Sequence, residues 1–277
     1  MKEIITSRQN PSVRAVCALT DKKARRRTGL FRFDGIKLLR EALACEAELV
    51  SVYVREPADG AVAELLSAAV SQGRIRERDV ILVSDSVFEK ISEEKSPEGV
   101  ITVARLLDSV HRTAEADTPV AGAEERILIA EALRDPGNLG TVMRSCAALG
   151  IDRLILTDDC ADLYNPKTVR SAMGALFRLP TVTVSAEALA DTILALRKSG
   201  RRVFAAALRA DAERIGELIL RQGDCFVIGN EGHGLRETTI AACDGAAIIP
   251  MREGNESLNA AAAAAICIWE TVRAENR

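Results

Sequence analysis

Arg144 stands where an arginine can hold an anion. It follows the turn-rich stretch 135–140 (D-P-G-N-L-G) and sits about one turn inside a helix expected over 141–149. Backbone N–H groups at a helix start and a permanently charged guanidinium would then face one point, which suits a phosphate or developing negative charge. A second segment, 229–234 (G-N-E-G-H-G), places three glycines in six residues after the apolar run 225–228. Its backbone can approach a ligand closely or take positive φ. The spacing is GxxGxG rather than the GxGxxG of a dinucleotide fingerprint and falls late in the chain, so nicotinamide or flavin binding is not expected. His233 within it reads as a solvated loop residue, because the only other histidine, His111, is remote in sequence. No Ser-His-Asp set and no metal-ligand spacing can be assembled. In the third segment, 249–259 (I-P-M-R-E-G-N-E-S-L-N), Pro250 ends a strand and Gly254 permits a reversal. Ser257 is placed to cap the next helix, whereas Asn259 reads as too deep in the first turn for a cap.

Such segments must be held at strand ends. Apolar or β-branched runs at 127–131, 153–157, 181–184, 203–207, 225–229 and 246–249 read as strands. Helical patterns separate them, including one with six consecutive alanines, 260–265, suited to close helix packing. Asn165-Pro166 opens another with a cap and a proline at its first position, and Ser185 is similarly placed. This alternation predicts an α/β fold with a parallel sheet covered on both faces. Residues 1–107 carry expected helices at 35–45 and 61–72 and strands at 49–54, 80–83 and 100–104, a small α/β domain. The stretch 108–125, with Pro119, Gly122 and no strong periodicity, is the expected linker to a second domain over 126–277.

The 277 residues are 48% hydrophobic and 28% charged, ordinary for globular protein, but only 3% aromatic, so Ala, Leu, Ile and Val must fill the cores. The seven cysteines are scattered without a CxxC pair and read as reduced, buried thiols. The first residues lack a signal-peptide core, and nowhere do 18 apolar residues run together, so a cytoplasmic protein without a membrane span is expected. Charge is asymmetric: residues 1–40 hold 11 Lys or Arg against 3 Asp or Glu, which leaves −11 on the remainder of a chain of net charge −3. Lys22, Lys23, Arg25, Arg26, Arg27 and Arg32 concentrate that positive field, which suits contact with phosphates.

Together and in order, N-x-G-x-x-x-R, G-N-E-G-x-G-L and I-P-M-x-x-G-x-x-S-L-N resemble the three motifs of the SpoU (TrmH-like) branch of the SPOUT methyltransferases. The preceding residues, about 3–105, resemble more faintly the ribosomal-protein-like substrate-binding domain that many of these enzymes carry. The resemblance implies a C-terminal SPOUT domain with a trefoil knot, although connections in a pattern-derived sheet are ordinarily unknotted. It also implies S-adenosylmethionine as methyl donor and a ribose 2'-hydroxyl of RNA as acceptor. Ribosomal RNA is the first expectation and transfer RNA the second. Residue by residue, the family's cofactor-binding backbone positions fall on Gly229, Ile249 and Leu258, with Leu208 and Met251 as pocket walls. Its catalytic or substrate-contacting positions fall on Asn138, Arg144, Glu231, Ser257 and Asn259. The all-alanine run after Asn259 departs from the more mixed sequence of relatives.

The same resemblance implies a homodimer with its sites near the subunit interface. It implies no metal, since a sulfonium methyl is already electrophilic and needs mainly alignment with the acceptor. Arg144 is a poor general base and would instead bind an RNA phosphate and stabilise alkoxide charge. Asn138, Glu231, Ser257 and Asn259 would position the ribose and the arginine, and the basic N-terminal residues would receive structured RNA. Two other readings stand beside this one. The chain could be an RNA-binding or ribosome-associated protein that keeps the fold without catalysis, which would bind no cofactor, or a SPOUT enzyme that methylates bases.

Overall fold

The apolar runs become the strands of two separate sheets. The computed structural model describes residues 3–114, 120–122, 125–230, 232–252 and 257–275, and its contacts divide the chain into two units. The first consists of Met1–Leu107 with Tyr164–Phe177. Its strands are β1 (Ile4–Ile5), β2 (Leu30–Asp34), β3 (Leu49–Arg55), β4 (Val80–Val83) and β5 (Val100–Arg105), in the order β1-β4-β3-β5-β2. β4 pairs in parallel with β1 and β3, whereas β5 runs antiparallel to β2 and β3. Helices α1 (Pro11–Ala18), α2 (Lys22–Thr28), α3 (Ile36–Ala44), α4 (Gly60–Ser71) and α5 (Asp85–Ile91) accompany it. Val13 and Val16 of α1 and Val87, Phe88 and Ile91 of α5 join Tyr53, Val83, Ile101 and Val103 in one core.

The segment 164–177, expected in the second domain, groups with this first unit, and aromatic packing explains why. Phe31 of β2 lies 4.8 Å from Tyr164 between ring centroids, and Phe33 lies 5.3 Å from Phe177 edge to face. Such pairs contribute about 0.5–1.5 kcal/mol beyond their buried area. The Tyr164 hydroxyl also accepts a hydrogen bond from the Leu107 amide at 2.8 Å.

The second unit, Asp108–Leu163 with Arg178–Arg277, holds β6 (His111–Thr113), β7 (Ile127–Ala130), β8 (Arg153–Thr157), β9 (Thr181–Val184), β10 (Val203–Ala206), β11 (Glu213–Arg214), β12 (Cys225–Ile228) and β13 (Gly245–Ile248). They form a sheet in the order β11-β13-β10-β12-β7-β8-β9-β6, and every pairing among them is parallel. Its helices are α6 (Pro136–Leu149), α8 (Leu189–Lys198), α9 (Glu237–Ala242) and α10 (Ala260–Glu275), the helix Pro166–Ala172 of the first unit being α7. Ile127, Ile129, Ile155, Val182, Val203 and Val227 from the central strands build one core with Leu189, Ile193 and Leu196 of α8. Both faces being covered accounts for the unbroken apolar runs of β7 and β12, buried at every position.

β6 lies inside the stretch expected to be a linker. It pairs with β9, and two of its three side chains, Arg112 and Thr113, are exposed, so the strand has no apolar run to announce it. α6 also starts earlier than the residue pattern suggests. Asp135 is its N-cap, accepting from the Asn138 amide at 2.8 Å, and Pro136 takes the first helical position. The turn-rich stretch 135–140 is therefore the first turn of the helix. Its far end closes at Gly150, in the left-handed region at φ 81°, whose N–H bonds the Cys146 carbonyl.

Candidate functional site

β13, β10 and β12 are neighbours in the second sheet, and a cavity of about 470 Å³ opens where they end. On its walls stand Ala206, the last residue of β10, with Ala207 to Arg209 beyond it, Ile228, the last of β12, with Gly229 and Asn230, and Ala247 and Ile248 of β13 with Ile249. Ligands of open α/β sheets bind at carboxyl ends of this kind. All five expected cofactor positions line it: Leu208, Gly229, Ile249, Met251 and Leu258. Leu208 is 57% exposed and Leu258 38%, large apolar side chains left open at the rim of a pocket. Ser257 and His233 line it too, both exposed. Leu235, Ile240, Ala260 and Ala263 add apolar wall, while Arg209 and Glu237, 3.4 Å apart as an ion pair, add charge.

The glycine loop earns its composition. A Cβ on Gly229 would stand 2.5 Å from the carbonyl carbon of Gly234 and 2.7 Å from the amide nitrogen of Leu235, so only hydrogen fits. The loop doubles back through paired bonds, Asn230 N–H to the Gly234 carbonyl at 3.1 Å and Gly234 N–H to the Asn230 carbonyl at 2.9 Å. Inside the turn, the Asn230 side-chain oxygen accepts from the amides of Gly232 at 2.8 Å and His233 at 3.2 Å. Asn230 therefore builds the loop, a role its neighbourhood of glycines could have signalled. Glu231, an expected catalytic position, lies outside the described residues.

The first and third segments meet through their asparagines. Asn259 donates its side-chain N–H to the Asn138 side-chain oxygen at 2.9 Å. With its own oxygen Asn259 accepts from the amides of Ala261 at 3.0 Å and Ala262 at 3.2 Å. Asn259 is thus the residue that caps α10, which begins at Ala260; Ser257, the expected cap, lies exposed on the cavity wall. The tail of the third segment runs non-helical for two residues longer than its apolar period implies. α10 then packs on α6 through small side chains, with Ala260, Ala261 and Ala264 buried. Asn259→Ala, by removing a cap and a side-chain bond, should cost about 1–2 kcal/mol. Thermal unfolding should show a midpoint lower by about 2–6 °C.

Arg144 is placed differently from the sequence reading. It lies two turns inside α6, about 12 Å along the axis from Pro136, rather than one. The helix start is already occupied by the Asp135 carboxylate, so no joint anion site of helix terminus and guanidinium forms. Arg144 is exposed, makes no hydrogen bond or ion pair with any described residue, and like Asn138 is absent from the cavity wall.

In the first unit, Lys22, Lys23, Arg26 and Arg27 of α2 are exposed, as an RNA-facing set requires. Arg25 and Arg32 are not available in that way. Arg25 is buried and donates through Nη1 to the carbonyls of Leu19 at 2.7 Å and Thr20 at 2.8 Å, and buried Arg32 pairs with Asp34 at 2.7 Å. A count of cations in a sequence cannot separate these two from their neighbours.

All seven cysteines are free thiols. Burial pushes the thiols of Cys225, Cys243 and Cys267 up to about 12, well away from thiolate chemistry. Among the described residues no group of three or more His, Cys, Asp or Glu could hold a metal, and no helix is long and apolar enough to cross a membrane.

Residues 125–269 match the SpoU rRNA Methylase family, and residues 10–102 match the MRM3-like substrate binding domain. The chain is 29% identical, over 97% of its length and 98% of the relative's, to 23S rRNA (guanosine(2553)-2'-O)-methyltransferase RlmP of Bacillus subtilis. It is 31% identical to 23S rRNA (guanosine-2'-O-)-methyltransferase RlmB of Coxiella burnetii, over 83% of this chain and 90% of that one. Among solved structures, the AdoMet-bound rRNA methyltransferase from Sinorhizobium meliloti superposes with a TM-score of 0.79 at 28% identity, covering 98% of this chain and 97% of that one. The three motifs, the parallel sheet that presents two of them at one cavity and the substrate-binding domain ahead of it place this chain in the SpoU rRNA methylase family.

Proposed function

We propose that the chain transfers a methyl group from S-adenosylmethionine to a ribose 2'-hydroxyl of RNA, with 23S ribosomal RNA as the substrate. The observation that carries this reading is the cavity at the ends of β10, β12 and β13, lined by Leu208, Gly229, Ile249, Met251 and Leu258. Its chemistry fits the donor. Apolar walls suit a purine face, backbone groups at strand ends suit its polar edge, and the Arg209–Glu237 pair suits the two charges of an amino acid. Gly229 lets the Gly234–Leu235 peptide close against it, which fixes this stretch of the cavity wall. Bound S-adenosylmethionine supplies the methyl as the carbon of a sulfonium, already electrophilic.

The protein's part is to align and to neutralise. Arg144 binds the RNA phosphate beside the acceptor and stabilises the charge that grows on the ribose oxygen as its proton passes to a phosphate oxygen or water, while the C–O bond forms, the S–CH3 bond breaks and the neutral thioether S-adenosylhomocysteine departs. Ser257, on the cavity wall, and Glu231 position the ribose. Asn138 and Asn259 act on that geometry through each other, since their side chains are already bonded together. Lys22, Lys23, Arg26 and Arg27 receive the RNA backbone. In a homodimer, the Arg144 of one subunit serves the cavity of the other, which accounts for an arginine outside its own chain's cavity. Trp269 on α10, 53% exposed, is an apolar side chain that such an interface would cover. The trefoil knot of the family is part of the same proposal.

The test is methylation of ribosomal RNA isolated from cells that lack this gene, using S-adenosylmethionine labelled in the methyl group. The expected result is label in one 2'-O-methyl nucleoside, mapped by an alkali-resistant linkage in 23S RNA. Label in a methylated base, or in transfer RNA alone, would replace the substrate assignment. No cofactor heat in calorimetry would leave an RNA-binding protein.

A further inference from the structure

Glu131, which no motif includes, is the one carboxylate among the described residues with none of its surface exposed. It follows β7, and its amide donates to the Ile228 carbonyl at 2.9 Å, at the point where β12 gives way to the glycine loop. Its side chain accepts three hydrogen bonds. One oxygen accepts from the Arg236 amide at 2.9 Å; the other accepts from the Thr239 hydroxyl at 2.8 Å and from Arg236 Nη1 at 3.2 Å. Arg236 is the N-cap of α9 and supplies no side-chain cap of its own. Glu131 therefore performs across 105 residues of sequence the task a glutamate usually performs three residues into its own helix.

The neighbouring residue holds the other end of the same loop. Ala132, at φ 52° in the left-handed region, presents its carbonyl to the Asn230 side-chain N–H at 2.9 Å. A non-glycine residue persists there only where its surroundings fix it. Glu131 and Ala132 thus grip residues 230 and 236, the two ends of the loop that carries part of the cavity wall. Leu235, Glu237 and Ile240, all on that wall, lie beside or within the helix start that Glu131 caps.

We propose that Glu131 is a positioning residue for the methyl donor: it holds the 230–236 loop and the start of α9 in the shape that the cofactor requires. This rests on the reading that the cavity takes S-adenosylmethionine. Glu131 touches neither donor nor acceptor and acts through Arg236 and Thr239. Glu131→Gln keeps the size of the side chain but converts one acceptor into a donor facing other donors.

Two measurements on the full chain test it. In hydrogen exchange without cofactor, Glu131→Gln should speed exchange in residues 229–240 at least about tenfold while β8 and β9 keep their protection. Unchanged protection of 229–240 overturns the proposal whether or not the protein binds the cofactor. In calorimetry and steady-state kinetics, S-adenosylmethionine affinity should fall at least tenfold and its KM rise to match, with kcat at saturating cofactor and KM for RNA within about threefold. A folded Glu131→Gln variant that binds the cofactor as wild type does also overturns it. Should Glu131→Gln fail to fold, Thr239→Val removes one of the three donors in nearly the same volume and should give a smaller loss in the same two readouts; no change in either would sink the idea. Wild type without cofactor binding would instead remove the functional reading, leaving the exchange result to decide the structural role.

Discussion

Gly229→Ala should lower S-adenosylmethionine affinity by about a hundredfold or more, while leaving a folded protein. The added methyl would lie 2.5 Å from one backbone carbon, 2.6 Å from the oxygen and 2.7 Å from the next nitrogen, all in the Gly234–Leu235 peptide. A flexible side chain could swing away from such a contact; a peptide plane cannot without moving the loop. That loop is anchored at both ends, through Asn230 to Ala132 and through Arg236 to Glu131, so displacement must appear in its middle, against the cavity. Overpacking of this kind costs about 1–3 kcal/mol. Calorimetry with S-adenosylmethionine and thermal unfolding check the two parts separately. Wild-type affinity in the variant would show that the donor does not lie against this loop.

Gly229 was legible because its reason is local. Three glycines after an apolar strand announce a backbone that must come close to something, and the adjoining runs announce the strand. The main strands of the second sheet follow from the same logic, since strands buried on both faces leave continuous Val, Ile and Leu runs. The elements that escaped are those without such a run. β6 and β11 are short and largely exposed, and hydrogen bonding to β9 and β13 rather than burial defines them.

The site residues divide along the same line. The apolar and glycine positions Leu208, Gly229, Ile249, Met251 and Leu258 gather at one cavity. The polar residues depend on partners far along the chain. Asn138 meets Asn259 across 121 residues, and Glu131 meets Thr239 across 108. A fully buried carboxylate at a strand end reads in sequence as an ordinary boundary, because its three donors arrive from another element. Arg25 and Arg32 illustrate the converse: part of a conspicuous run of cations, they are spent on carbonyls and on Asp34. Capping, too, was ambiguous locally. Ser257, Asn259, Asp135 and Asn138 all have cap-forming side chains, and only the backbone path decides that Asp135 and Asn259 do the capping.

Arg144→Ala should reduce methyl transfer on the order of 10²–10³-fold, the usual consequence of removing one preorganised group that stabilises developing charge. Cofactor affinity should stay within a few-fold, because Arg144 does not line the cavity. Stability should stay unchanged, because the side chain is exposed and bonds to no described residue. An arginine so placed contributes little to the stability of the free chain. Near-normal turnover in Arg144→Ala would end its catalytic assignment. The shared-site arrangement has its own consequence. Arg144→Ala and Gly229→Ala chains, each strongly impaired alone at a cofactor concentration near the wild-type Kd, should regain about a quarter of wild-type activity when allowed to exchange subunits, since in the proposed shared-site dimer each mixed dimer then has one site with both residues intact. If each cavity used its own chain's arginine, every site in the mixture would lack one of the two, and mixing would restore nothing.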